Sequence, residues 1–201
     1  MAKNRTPSVP NRGQISSEVL FYAQKPGATL WLTDQGMVFD RIAPAAGGGL
    51  GRGHSVSRVI FLGARKDAQA SALDTAGHRV SYFYGSDEAE WRTDIPTSRV
   101  VIYRNLYDGI DLKVYGNERE VEYDWIVRPG ADPARIRFGI KGDRPASLDS
   151  AGNLVVGTSQ SGLRILRPAS YQVLDGRKCG TVPSCTAACS ACPCKQIIEV
   201  V

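Results

Sequence analysis

Short runs of aromatic and β-branched residues, each cut off by glycine, proline, asparagine or aspartate, recur along this chain and leave no convincing long segment with the 3.6-residue period of a helix. Residues 19–23, 29–33 and 37–42 are three such runs. Lys25-Pro26-Gly27 and Asp34-Gln35-Gly36 separate them with turn chemistry, which predicts a three-stranded meander. Residues 54–62, 79–84 and 98–104 read as further strands. In the stretch that follows, Ile110, Leu112 and Val114 alternate with Asp111, Lys113 and Tyr115, and Gly116-Asn117 suits a two-residue hairpin connection. The return strand sets Val121, Tyr123, Trp125 and Val127 against Glu118, Glu120, Glu122 and Asp124. Strict alternation predicts that the first set is core and the second is wetted.

Two prolines and a glycine in residues 128–133 end that strand, and residues 135–140, 154–158 and 163–166 supply three more. Residues 64–78 are polar and alanine-rich and are expected to form a short helical turn or a long loop. The glycine-rich segment 44–53 lacks the Lys-Ser or Lys-Thr pair of a phosphate loop and runs into a strand instead of a helix, so it reads as a flexible surface loop. The fold class that follows is all-β, an antiparallel β-sandwich of many short strands with an irregular Cys-rich C-terminal tail. With 201 residues, 42% of them apolar and 22% charged, one domain can bury a sizeable core. The expected organisation is a flexible N-terminal arm over residues 1–10, a sandwich domain over 11–178, and a Cys-rich tail over 179–201 for which an origin foreign to the fold is one reading.

The net charge of +5 is spread along the chain and not gathered in a run, which points to a solvated surface and away from a nucleic-acid partner. No apolar run approaches the roughly 20 residues that cross a bilayer, and the first residues lack the apolar core of a signal peptide, so neither membrane insertion nor an export signal is expected in the chain as written.

Several motifs, in order, carry a family resemblance. They are Asn11-Arg12-Gly13-Gln14 with Phe21-Tyr22-Ala23, Tyr82-Phe83 through Gly85, and Trp91-Arg92-Thr93-Asp94-Ile95-Pro96. The long block Tyr103-Arg104-Asn105-Leu106-Tyr107-Asp108-Gly109-Ile110-Asp111-Leu112 continues to Tyr115-Gly116-Asn117. Glu122-Tyr123-Asp124-Trp125, Pro129-Gly130-Ala131-Asp132-Pro133, Pro168 and Tyr171-Gln172 complete the set. Together they resemble an uncharacterised β-rich domain that stands N-terminal to SBBP-type β-propeller repeats in bacterial surface and secreted proteins. The resemblance implies an extracellular or cell-surface location and a non-enzymatic structural or binding role. Downstream propeller repeats or other surface proteins are the partners it suggests, and it brings no catalytic residues or cofactor to carry over. Such domains usually begin with an export signal and continue past the Tyr-Gln motif into closing strands. Without those strands, one sheet is expected to present an unpaired edge.

Chemistry-bearing clusters are few. All five cysteines, Cys179, Cys185, Cys189, Cys192 and Cys194, fall in the tail. A zinc site, a disulfide framework with one thiol left over, and a sequence foreign to the fold are the three readings; the last is preferred, because the resemblance ends where the composition changes. The acidic row Glu118, Glu120, Glu122 and Asp124, with Asp108 and Asp111 nearby, has carboxylates spaced roughly 6.5–7 Å apart along a strand, which overlaps the separation in inverting glycosidases. An ion-paired, solvated outer face fed by Lys113, Arg119 and Arg128 is the expected reading, with calcium binding a minor one. His54 and His78 are expected in polar loops, with no nucleophile elbow to join them. No catalytic residue and no metal ligand is therefore assigned. The runner-up function is a carbohydrate-binding or carbohydrate-active sandwich, motivated by Trp31, Trp91, Tyr103 and Trp125. A structural module is expected to bury Trp31 and Trp125, whereas a sugar platform needs an open aromatic face.

Overall fold

The computed structural model describes residues 6–44, 52–116, 120–142, 145–156, 163–174, 177–179 and 195–200. In chain order its strands are β1 (Val9–Pro10), β2 (Val19–Lys25), β3 (Ala28–Thr33), β4 (Gly36–Pro44), β5 (Arg52–Phe61), β6 (Gln69–Tyr82), β7 (Arg92–Tyr107) and β8 (Ile110–Gly116). They continue as β9 (Val121–Val127), β10 (Phe138–Lys141), β11 (Ala146–Leu148), β12 (Leu154–Val156), β13 (Leu163–Ile165), β14 (Ala169–Leu174), β15 (Arg177–Cys179) and β16 (Lys195–Val200). Every pairing between them is antiparallel. Among the described residues the only helical pieces are two single 3-10 turns, Glu88–Glu90 and Pro133–Arg135.

Two large sheets make the sandwich. One runs in the order β1-β2-β3-β4-β5-β10, the other β15-β14-β16-β9-β8-β7-β6, and a small sheet of β11-β12-β13 completes the set. Phe21, Leu30, Leu32, Met37, Val59 and Phe61 of the first sheet share one core with Val101, Tyr103, Leu112, Val114, Tyr123 and Trp125 of the second. Val156, Leu163 and Ile165 of the small sheet join the same core. Phe61 stands edge-on to both Tyr103 and Trp125, the arrangement that aromatic quadrupoles favour. The Tyr103 hydroxyl crosses between the layers and donates to the Thr33 carbonyl at 2.8 Å, so burying this phenol leaves no polar atom unmatched. Close approach within a layer has its own requirement. A Cβ at Gly36 would lie 2.0 Å from the Val59 carbonyl oxygen, so β4 begins with the one residue that lets β5 pass beside it.

The meander of β2, β3 and β4 and the β8–β9 hairpin follow the expected pairings. Three expectations need correction. Residues 64–78, read as a helical turn or loop, contribute most of β6, a strand of 14 residues on the rim of the seven-stranded sheet. Its pairing with β7 is interrupted by four register shifts, which breaks the period-2 pattern that marks a strand in sequence. Residues 135–140 were expected to be extended throughout, but Pro133 starts a 3-10 turn whose first free N–H groups are served by Asp132, and the strand begins only at Phe138. Residues 6–10 are not loose. Ser8 exchanges backbone hydrogen bonds with Ser98, and β1 pairs with β2, because Val9 joins Tyr22 and Ile95 in a second apolar cluster.

Residues 1–5, Asn117, most of the glycine-rich loop and residues 180–194 lie outside the described residues. Of the tail, β16 lies between β9 and β14, so the edge of β9 opposite β8 is paired from Tyr123 to Val127. No helix among the described residues is long and apolar enough to cross a membrane.

Candidate functional site

The long sequence block at residues 103–112 folds into the β7–β8 corner. Asn105 adopts a left-handed backbone (φ 53), which asparagine tolerates better than most residues, and its side-chain oxygen accepts the Gly109 N–H at 3.0 Å. Gly109 also has positive φ, and a Cβ there would meet the Ala131 Cβ at 2.8 Å. The Asp111 side chain is buried beneath this corner. It accepts the Asn105 N–H at 2.7 Å and the Arg128 guanidinium at 2.9 and 3.2 Å, which clamps the end of β9 to the irregular turn of β7. The Tyr107 hydroxyl donates to the Arg137 carbonyl at 2.7 Å, and the Arg65 N–H donates to the Leu106 carbonyl at 2.9 Å, so two neighbouring loops are fastened to the same corner.

A cleft of about 320 Å³ opens over the corner, walled by Leu62, Tyr107 and Ala134 and edged by Arg65, Asp108, Asp132, Arg135 and Arg137. Asp108 is exposed and bridges two cations, one oxygen to Arg65 at 2.9 Å and the other to Arg135. Hydrogen bonds from Arg65 first, and then from Arg135, hold its carboxyl below the usual carboxylate range. Arg65 is in turn gripped by Asp67, and these bonds raise its pKa further. Sequence reading placed Asp108 among the acids but missed the arginines, which come from two segments far apart in the chain, Arg65 from one and Arg135 and Arg137 from the other.

The acidic row is the main correction at the level of side chains. Glu122 and Asp124, expected in water, are 4% and 6% exposed. Their outward face of the sheet is itself apolar in part, since Ile102 pairs with Lys113 and Lys113 with Asp124, while Val100 pairs with Tyr115 and Tyr115 with Glu122. Val100, Ile102 and Ile126 are all buried there. Asp124 accepts the Tyr115 hydroxyl at 2.9 Å and lies 3.8 Å from the Lys113 ammonium, which itself sits 4.8 Å from the Tyr115 ring centre. Glu120 stays exposed at the start of β9 and acts electrostatically on Lys25, whereas Glu118 lies outside the described residues.

The histidines lie on strands and not in loops. His54 on β5 approaches Asp40 at 3.2 Å, and His78 on β6 lends its carbonyl to the Thr97 hydroxyl. Among the described residues no group of three or more His, Cys, Asp or Glu is placed to hold a metal ion, and the cysteines other than Cys179 fall outside them. The tryptophans separate as well. Trp125 is buried, Trp31 is half-buried against Tyr22, and Trp91 is half-buried with its ring edge-on to Phe83 at 5.1 Å. Phe83 is 62% exposed, and the neighbouring Tyr84 stacks on Tyr82 while its hydroxyl donates to the Gln14 carbonyl.

No curated protein and no solved structure matches the chain. A family model described as a domain of unknown function, DUF7948, matches residues 9–184, a span that takes in β1 to β15, the β7–β8 corner and the cleft above it. The chain belongs to the DUF7948 family.

Proposed function

We infer that this chain is a non-enzymatic structural or binding module of a bacterial cell-surface or secreted protein, of the kind that precedes SBBP-type β-propeller repeats. The observation that supports this reading is the use to which the longest sequence motif is put. Asn105, Gly109 and Asp111 direct their hydrogen bonds to one corner of the sandwich, and Asp111 takes up Arg128 from just past the end of β9. A domain whose distinctive residues brace its own framework suits a rigid supporting or adhesive part. Protease shaving and antibody labelling of intact producing cells test the location. Surface exposure of the domain is expected, and its confinement to the cytoplasmic fraction overturns the reading.

One observation favours a carbohydrate-binding sandwich as the second reading, namely the open ring of Phe83 beside Trp91 and Tyr84. Aromatic faces of this kind stack on sugar rings when hydrogen-bonding groups lie next to them. Glycan-array binding that disappears in Trp91→Ala moves the function to this reading, and turnover of a glycan that disappears in Glu122→Gln overturns the non-enzymatic one.

A further inference from the structure

The cleft over the β7–β8 corner gathers three guanidiniums and uses only two of them internally. Arg65 and Arg135 are tied to Asp108, whereas the Arg137 side chain, also at the rim, forms no ion pair among the described residues. The Arg137 backbone is nevertheless fixed, since its carbonyl accepts both the Leu62 N–H and the Tyr107 hydroxyl. The fixed backbone keeps the guanidinium within reach of the cleft, and a ligand has only the side chain's own rotamers left to order. The lining holds three arginines against two aspartates, Asp108 and Asp132, and Asp132 gives one oxygen to the Ala134 N–H. Asp67, beside the cleft, takes up Arg65 as well, so the charges nearly balance and Arg137 is the one guanidinium of the cleft left without an ion pair among the described residues, in a space whose size is at the lower end of small-ligand pockets, roughly 300 Å³.

Asp108 indicates what kind of anion the cleft accepts. Arg65 and Arg135 each hold one oxygen of its planar carboxylate. We propose that this cleft binds a small organic carboxylate, with Arg137 as its anchor and Asp108 as a resident competitor for Arg135. The apolar wall of Leu62 and Ala134 covers the carbon skeleton. This assignment stands independently of where the protein is located.

Titration calorimetry of the full chain at low ionic strength, with succinate as the probe and uncharged succinamide as the control, tests the proposal. Saturable one-to-one binding of succinate and none of succinamide is expected. Arg137→Ala, which removes no internal ion pair, is expected to weaken binding by about tenfold or more, the worth of one charge-assisted hydrogen bond. Asp108→Asn, which removes the competing charge at an exposed position, is expected to tighten it. Arg164→Ala, whose partner is the distant Asp149, is expected to leave it unchanged. Non-saturable uptake, undiminished binding in Arg137→Ala, weaker binding in Asp108→Asn, or inorganic phosphate binding as tightly as succinate each overturns the carboxylate assignment.

Discussion

Replacing Asp111 measures how far the β7–β8 corner governs the stability of the sandwich. In Asp111→Ala the Asn105 N–H loses its acceptor beneath a corner that excludes water, which costs about 1–3 kcal/mol. The charge-assisted bonds to Arg128 are lost as well, but that side chain is half exposed and recovers much of the loss by hydration. A combined destabilisation of about 3 kcal/mol follows, equivalent to a fall in Tm of about 6–12 °C for a domain of this size. Asp111→Asn keeps an oxygen for the Asn105 N–H and forfeits only the charge, so its cost is about 1 kcal/mol. Urea unfolding followed through the buried Trp125, with m unchanged among the variants, gives both numbers. If Ala costs less than about 0.5 kcal/mol, or if Asn costs as much as Ala, the clamp described above is not what holds the corner.

Three further outcomes are expected. Gly36→Ala forces a methyl group to within 2.0 Å of the Val59 carbonyl oxygen, and a loss of about 3 kcal/mol or more in urea unfolding is expected because two paired backbones must separate. Trp125→Ala empties a site bordered by Phe61, Tyr107 and Tyr123 and is expected to cost about 3–5 kcal/mol, whereas Phe83→Ala at the open corner costs under about 1 kcal/mol; thermal unfolding of the two variants compares them. Asp149 has its pKa lowered below 3.8, first by the Asn153 side chain and then by the Asn153 N–H. The unfolded chain therefore binds the proton more readily. The stability that Asp149 contributes is complete above pH 3.8 and is withdrawn as the pH falls through the lower folded value, so the stability of Asp149→Asn should fall less steeply with acid below that point than that of the parent chain.

Strand β9 was legible because Val121, Tyr123 and Trp125 alternate with acids, yet the same alternation misplaced Glu122 and Asp124. Period 2 separates two faces of a strand but does not say which of them is dry. The missing signal lay on β7, where Val100-Val101-Ile102-Tyr103 is an unbroken apolar run and therefore a strand buried on both sides. Its register through Lys113 carries Asp124 onto that second dry face. Strand β6 was hidden for the opposite reason. Most of its side chains face water on a rim, so Gln69, Ser71, Thr75 and His78 cost nothing there and leave no apolar trace. The cleft was invisible in sequence because Arg65, Asp108 and Arg135 are brought together by folding from positions tens of residues apart.

The order of the strands has a consequence for how the molecule can be taken apart. Each layer is written mostly in one continuous stretch, β1 to β5 and then β6 to β9, with the residue 62–68 passage between them. Leu30, Leu32 and Met37 on one layer and Val101, Tyr103 and Leu112 on the other share one buried cluster. A polypeptide severed within that passage therefore yields two halves that are individually sticky and mutually complementary, a natural seam for split-protein reassembly, with β10 of the second half reaching over to seal the first against β5.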